Sequence, residues 1–253
     1  MFGLSNISGS CWVNTCLQAV FRIPDVQSRY NSQTFDAENL VDKSLCEIWN
    51  TKGEQGLNSL FHAIQNGYMP AGRGIGDSHE LLLYLCDKLP FLDELVRFKM
   101  AKSIQCLSCD YKELKEDTVI EFSITSETRQ RPIFDCIAEA VKESLVDTWK
   151  CEKCNKLGCK TQELIGTFPK VLMFHMIPTH GSINYSNIII LNNIKYQLIS
   201  ISCFNGGHWA GFGKNLEDDF WVSLNDRHVA RLASNILPLA ENMRVLIYYR
   251  LEN

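Results

Sequence analysis

The chain has 253 residues, 45% of them hydrophobic and 21% charged, the balance of a globular protein large enough to bury its own core. A net charge of −4 gives no support to a nucleic-acid role, where a basic stripe is the rule, and no run approaches the roughly 18 apolar residues of a membrane-spanning helix, so neither nucleic acid nor membrane is expected as a partner. With 11 cysteines and, at residues 1–6, neither the basic flank nor the apolar run of a signal peptide, the chain reads as thiol and metal chemistry in a reducing compartment, cytoplasm or nucleus.

The first half reads mostly as helix. Residues 11–21 carry Val13, Leu17, Val20 and Phe21 at helical spacing, and residues 54–65 repeat the pattern through Leu57, Leu60, Phe61 and Ile64. Residues 77–85 do so again, with Asp77 as N-cap and Glu80 at the capping-box position. The Pro-Ala-Gly-Arg-Gly run at 70–74 is a loop between the last two helices. The second half changes period. Short β-rich runs fall at 95–104, 118–124, 171–176, 187–191, 196–202, 208–213 and 245–249, interrupted by one helix over 134–145. Helices first and antiparallel strands later predict an α+β protein, a helical lobe against a sheet lobe, with an active site in the cleft between them.

Cys106-Leu-Ser-Cys109 and Cys151-Glu-Lys-Cys154 are two C-x2-C knuckles. Four thiolates at such spacing make a closed, tetrahedral, structural Zn2+ site, which contributes folding energy and no catalysis. The competing reading is two unrelated pairs of thiols. Cys159 is close enough in sequence to replace a ligand, whereas Cys136 and Cys203 read as core thiols.

A cysteine hydrolase needs a base, a group that orients the base, and donors for the oxyanion. Cys11 stands between the turn Ser8-Gly9-Ser10 and a helix start, where backbone N–H groups favour a thiolate; a buried structural cysteine is the alternative. His208 follows Gly206-Gly207 and opens a strand-like run, and Asn225-Asp226 follows the apolar Phe220-Trp221-Val222. A strand pair would bring a carboxamide or carboxylate beside His208, although a histidine in a glycine-rich turn also serves structure alone.

At these residues the chain resembles the ubiquitin-specific protease family, in three ordered blocks spanning nearly its whole length. Gly3-Leu4-Ser5-Asn6 through Cys11-Trp12-Val13-Asn14 and Leu17-Gln18 is similar to the family's cysteine box, with Ser8-Gly9-Ser10 where the family has Gly-Asn-Thr. Gly76-Asp77-Ser78-His79-Glu80-Leu81-Leu82 resembles its Gln-Gln-Asp-Ala-x-Glu-Phe-Leu helix start, without the glutamines. Gly207-His208-Trp209 and Trp221-Val222-Ser223-Leu224-Asn225-Asp226 resemble its histidine box. Where relatives read Leu-Lys-Arg-Phe, this chain has Met176-Ile177-Pro178-Thr179.

The resemblance implies a papain-like cysteine peptidase fold in a single catalytic domain, 1–253. Its parts would be a helical thumb over about 1–94, short zinc-ribbon fingers over about 95–170, tipped by the two cysteine pairs, and a β-rich palm over about 171–253. It implies Cys11 as nucleophile, His208 as base, Asn225 as third triad member, Asn6 as oxyanion donor and Asp226 as the acid beside them. Asp77 and Glu80 would meet the arginine-bearing tail of ubiquitin, and Trp209 with Gly206 and Gly207 would line the channel for its Gly-Gly end. The implied activity is thiol-dependent removal of ubiquitin. The alternatives are the same chemistry on SUMO or NEDD8, or an inactive ubiquitin-binding scaffold, and an activating partner protein is allowed. The domain is shorter than usual for the family, and the segment from Ile201 to His208 is shorter than the loop that covers the tail in relatives.

Overall fold

The structure, a computed structural model, describes residues 1–53, 55–65, 76–233 and 236–252. The expected loop at 70–74, together with Glu54 and Ile75, lies outside the described residues.

Among the described residues six helices come first: α1 (Cys11–Val20), α2 (Pro24–Asn31), α3 (Leu40–Asn50), α4 (Leu57–Gln65), α5 (Ser78–Lys88) and α6 (Pro90–Val96). Their starts are written locally. Pro24 and Pro90 open α2 and α6 at positions where the missing N–H costs nothing. Asn39 caps α3 through Val41 N and Asp42 N, and Asp77 caps α5 through His79 N and Glu80 N, as expected of it.

Strands follow: β1 (Phe98–Cys106), β2 (Lys112–Val119), β3 (Phe122–Ile124) and β4 (Arg131–Pro132), then α7 (Ile133–Ala140), β5 (Ser144–Lys150), β6 (Leu157–Ile165), β7 (Val171–Met176), β8 (Ile183–Asn184), β9 (Ile188–Leu191), β10 (Ile194–Phe204), β11 (Trp209–Asn215), β12 (Phe220–Asn225), β13 (His228–Arg231) and β14 (Met243–Arg250). Several expected boundaries move, three of them with a change in the type or number of elements. Leu95 and Val96 close α6 rather than opening a strand. The run 118–124 divides between the end of β2 and β3. The helix expected to reach Leu145 stops at Ala140, because Ser144–Lys150 pairs with β6.

Among the described residues, two large sheets and a short parallel pair, β4 with β8, carry the second half. One has the order β2-β1-β6-β5, all antiparallel. The larger has the order β13-β12-β11-β10-β14-β7-β3, with β9 also pairing β10 and β3 running parallel to β7. Strand alternation splits the larger sheet between two cores. Val171, Met173, Val245 and Ile247 pack with the helices, while Leu172, Phe174, Leu246 and Tyr248 pack with α7 and the loops on the opposite face. In β10 the parity flips: Tyr196 and Leu198 share a face with Ile201, and Ile199 faces the helices. A register shift between Leu198 and Ser200 against β14 inserts one residue there, as a β-bulge does. The helical side of the sheet receives α1, which packs on β10, β11 and β12.

Candidate active site

Cys11 is the first residue of α1 and is buried. The turn before it is left-handed twice, at Ser8 (φ 53) and Gly9 (φ 89). These are the positions where the resembled pattern has Gly and Asn, two residues that also tolerate that conformation, so the altered turn keeps its conformational logic. Ser10 stands at the N-cap without capping: its Oγ accepts from Ile7 N (2.7 Å) and donates to Ser5 O (3.4 Å). The first-turn N–H groups of α1 are thereby left for an anion. The Cys11 thiol hydrogen-bonds the Gly9 carbonyl at 3.9 Å rather than the imidazole of His208.

The imidazole and its partner come from two adjacent strands. β10 and β11 are joined by a tight hairpin in which the Asn205 side-chain oxygen accepts from Gly207 N (3.3 Å) and His208 N (2.8 Å). This sets His208 at the mouth of β11. Asn225 ends β12, and its Oδ1 lies 2.7 Å from His208 Nε2. An amide oxygen only accepts, so His208 Nε2 carries the proton and the Nδ1 lone pair stays free.

Asp226 is the next residue, left-handed (φ 52), in the two-residue turn between β12 and β13. Its carboxylate accepts from Asn6 Nδ2 (2.8 Å) and Asn14 Nδ2 (2.7 Å) and lies 3.9 Å from His208 Nε2. The Asn6 carbonyl accepts from Gly9 N (3.1 Å) and Ser10 N (3.0 Å), so this side chain ties Asp226 to the turn before Cys11. The N-terminal segment lies against the same hairpin. Leu4 N donates to Asp226 O at 2.9 Å, and a Cβ on Gly3 would stand 2.3 Å from Arg227 O. Only glycine permits that approach. Asn14 was not singled out from sequence for this network; its place three residues after Cys11 in the cysteine box was the available signal.

Asp77 and Glu80 lie at the start of α5, half-buried and exposed respectively. Trp209, expected to line the channel for the tail, is 2% exposed. Its ring packs on Phe204, and its Nε1 donates to Gly76 O at 3.1 Å, joining β11 to the residue before Asp77. Gly206 and Gly207 are exposed, with nothing within 4 Å of where a Cβ would stand.

Far along the smaller sheet, the Sγ atoms of Cys106, Cys109, Cys151 and Cys154 lie within 4.8 Å of one another, so the structure brings the two knuckles into one candidate metal-binding cluster. Cys106–Cys154 and Cys109–Cys151 sulfurs are each 3.7 Å apart. Ser108 N donates to Cys106 Sγ (3.3 Å) and brings that thiol down to about 7, toward the thiolate a metal needs. Cys159 is not among the four; it faces Cys106 across the β1–β6 ladder as a buried thiol.

Comparison with known proteins places this architecture. A chain of the SAGA DUB module Ubp8/Sgf11/Sus1/Sgf73 bound to monoubiquitin is 18% identical with a TM-score of 0.82, the match covering 100% of the present chain and 69% of that one. The same module bound to ubiquitin aldehyde gives a TM-score of 0.81 at 18% identity, covering 100% and 70%. The yeast module with an Sgf73 variant gives 0.81 at 18%, covering 100% and 69%. Likeness at this identity establishes the fold, a mixed α/β papain-like one. Among curated proteins none matches by sequence. Residues 2–248 match the ubiquitin carboxyl-terminal hydrolase family, and the chain therefore belongs to that family, as a cysteine-type deubiquitinating enzyme.

Proposed function

We propose that the chain hydrolyses the bond after the C-terminal Gly-Gly of ubiquitin, with Cys11 as nucleophile, His208 as base and Asn225 as the group that orients it. The observation that carries this reading is the 2.7 Å contact of His208 Nε2 with Asn225 Oδ1, which turns the free Nδ1 into the proton acceptor, at the strand mouth beside α1. The thiolate attacks the carbonyl of the terminal glycine, and the imidazolium returns its proton to the departing lysine amine. Water then hydrolyses the thioester, with His208 again as base. The oxyanion meets the uncapped first-turn N–H groups of α1 and the second N–H of Asn6. Asp226 acts on it through Asn6, whose amide it orients, and lies 3.9 Å from His208 Nε2.

The rest of the reading follows the same geometry. Gly206 and Gly207 form a bare backbone rim past which only a Gly-Gly tail threads, and Asp77 and Glu80 face the arginines upstream of it. Trp209 backs the channel by holding the Gly76 carbonyl. Residues from about 1–94, about 95–170 and about 171–253 act as thumb, fingers and palm of one catalytic domain, 1–253, with β3 and α7 packing into the palm. Cys106, Cys109, Cys151 and Cys154 would hold Zn2+: a set of four soft thiolates suits it, leaves no open position, and restricts the ion to a structural part at the finger tip.

An activating partner protein that aligns Cys11 with His208 belongs to the same reading. The solved relatives are assemblies with Sgf11, Sus1 and Sgf73, and a nuclear assembly of that kind is the setting we propose.

The test uses ubiquitin, SUMO and NEDD8 probes bearing a thiol-reactive C-terminus, with Cys11→Ala as control. An adduct with ubiquitin alone, lost in the control, is expected. Adduct with SUMO or NEDD8 alone would overturn the substrate and leave the chemistry. No adduct from a folded, zinc-loaded sample would overturn autonomous catalysis.

A further inference from the structure

His79 and His175 stack ring on ring, with centroids 3.7 Å apart and planes 16° from parallel. His79 is on the first turn of α5 and His175 on β7, so the stack joins the helical half to the palm sheet. Glu121, in the short link between β2 and β3, bridges both: Oε2 lies 2.5 Å from His79 Nε2 and Oε1 lies 3.6 Å from His175 Nδ1. His79 is buried and the other two are half-buried, with 10%, 19% and 23% of the His79, Glu121 and His175 side chains exposed.

The donor set of two imidazoles and a carboxylate is one that a transition metal could use. The stacking argues against it. A nitrogen lone pair lies in its ring plane, and two nearly parallel planes 3.7 Å apart cannot both contain one ion. The arrangement instead suits a polar bridge, in which one carboxylate oxygen of Glu121 accepts from His79 Nε2 and the other lies beside His175 Nδ1, locking the two stacked rings together.

We infer that His79, Glu121 and His175 form a clamp that positions the start of α5, and with it Asp77 and Glu80, for the incoming tail; this rests on the tail-binding reading of those two acids. The clamp reaches the acids through the backbone. His79 N donates to Asp77 Oδ1 at 2.7 Å, so the residue that caps the helix is fixed by the residue that the clamp holds. Glu80 is the next residue along. The clamp residues touch neither Cys11 nor His208 in any contact of the site, so they are positioning residues, and their removal acts on substrate binding and spares the chemical step.

The test is steady-state kinetics on ubiquitin carrying a fluorogenic amide at its C-terminus. Glu121→Gln keeps the shape and removes the charge. His175→Phe keeps a flat ring on His79 and deletes both ring nitrogens, and it carries the test if Glu121→Gln does not fold. Each should raise KM roughly 5- to 10-fold with kcat within about two-fold of the parent. Glu80→Gln should raise KM alone and add little to Glu121→Gln, because both act through one contact with the substrate. If Glu80→Gln raises KM and the clamp variants do not, the clamp is wrong and the tail reading stands. If Glu80→Gln leaves KM unchanged, the tail reading itself fails. A fall in kcat with KM unchanged, from folded variants, would also sink the clamp.

Discussion

The Asn14 amide donates to Asp226 Oδ1 at 2.7 Å and to Ser5 O at 3.2 Å, while its own Oδ1 is buried without a hydrogen-bond partner. It is one of two amides that hold Asp226, and Asp226 orients Asn6. Asn14→Ala should therefore lower kcat by roughly ten-fold or more in the ubiquitin-amide assay, with KM nearly unchanged, because the lost donors serve the oxyanion side of the site. Ser8 offers the opposite case. Held at φ 53, it carries a backbone cost that glycine does not, so Ser8→Gly should raise thermal stability by about 0.5–1 kcal/mol with activity retained, read from the melting temperature. His175 gives a pH test. Burial first, then His79, pulls its pKa below the ordinary histidine value, so the fold favours the neutral ring. Stability from this group is full above the unfolded pKa of 6.5 and is lost as pH falls below it. The melting temperature should drop on acidification in that window, and the drop should shrink in His175→Phe.

At the scale of elements, α5 separates two roles that its first residues combine. Asp77 accepts from His79 N (2.7 Å) and Glu80 N (3.4 Å) as a cap, and it is also a proposed tail acid. Asparagine caps a helix about as well as aspartate, so Asp77→Asn should leave the melting temperature nearly unchanged, whereas Asp77→Ala should cost about 1 kcal/mol. If the carboxylate reads the tail, the asparagine variant should still raise KM. The cap was legible because it is local, an aspartate just before a helical pattern. The end of α7 was not: residues 141–145 read as its continuation until β6 is known, and pairing with β6 decides Ser144–Lys150 as a strand.

For the molecule as a whole, two distant devices serve one cleft. The four-cysteine cluster closes the far end of the smaller sheet, and the site lies where α1 meets the larger sheet. If the cluster holds zinc, elemental analysis should find about one zinc per chain, and Cys151→Ser should abolish it and lower the melting temperature by several degrees. The same variant should still label at Cys11 below its melting point, since no ligand touches the site.

Much of this protein was readable in one dimension. The two C-x2-C knuckles, the cap at Asp77 and the edges of β7 at Val171 and Met176 are short-range patterns, fixed by backbone conformation and by spacing along one element. The pairing of His208 with Asn225 was anticipated because the histidine-box resemblance placed both residues. What only the tertiary structure decided are the contacts between residues far apart in the chain with no shared motif: Asn14 on Asp226, Gly3 against Arg227, the bulge that flips β10 between two cores, and the stack of His79 on His175 across Glu121. Each depends on which surfaces face one another after the helices close on the sheet, and local sequence carries no record of that choice.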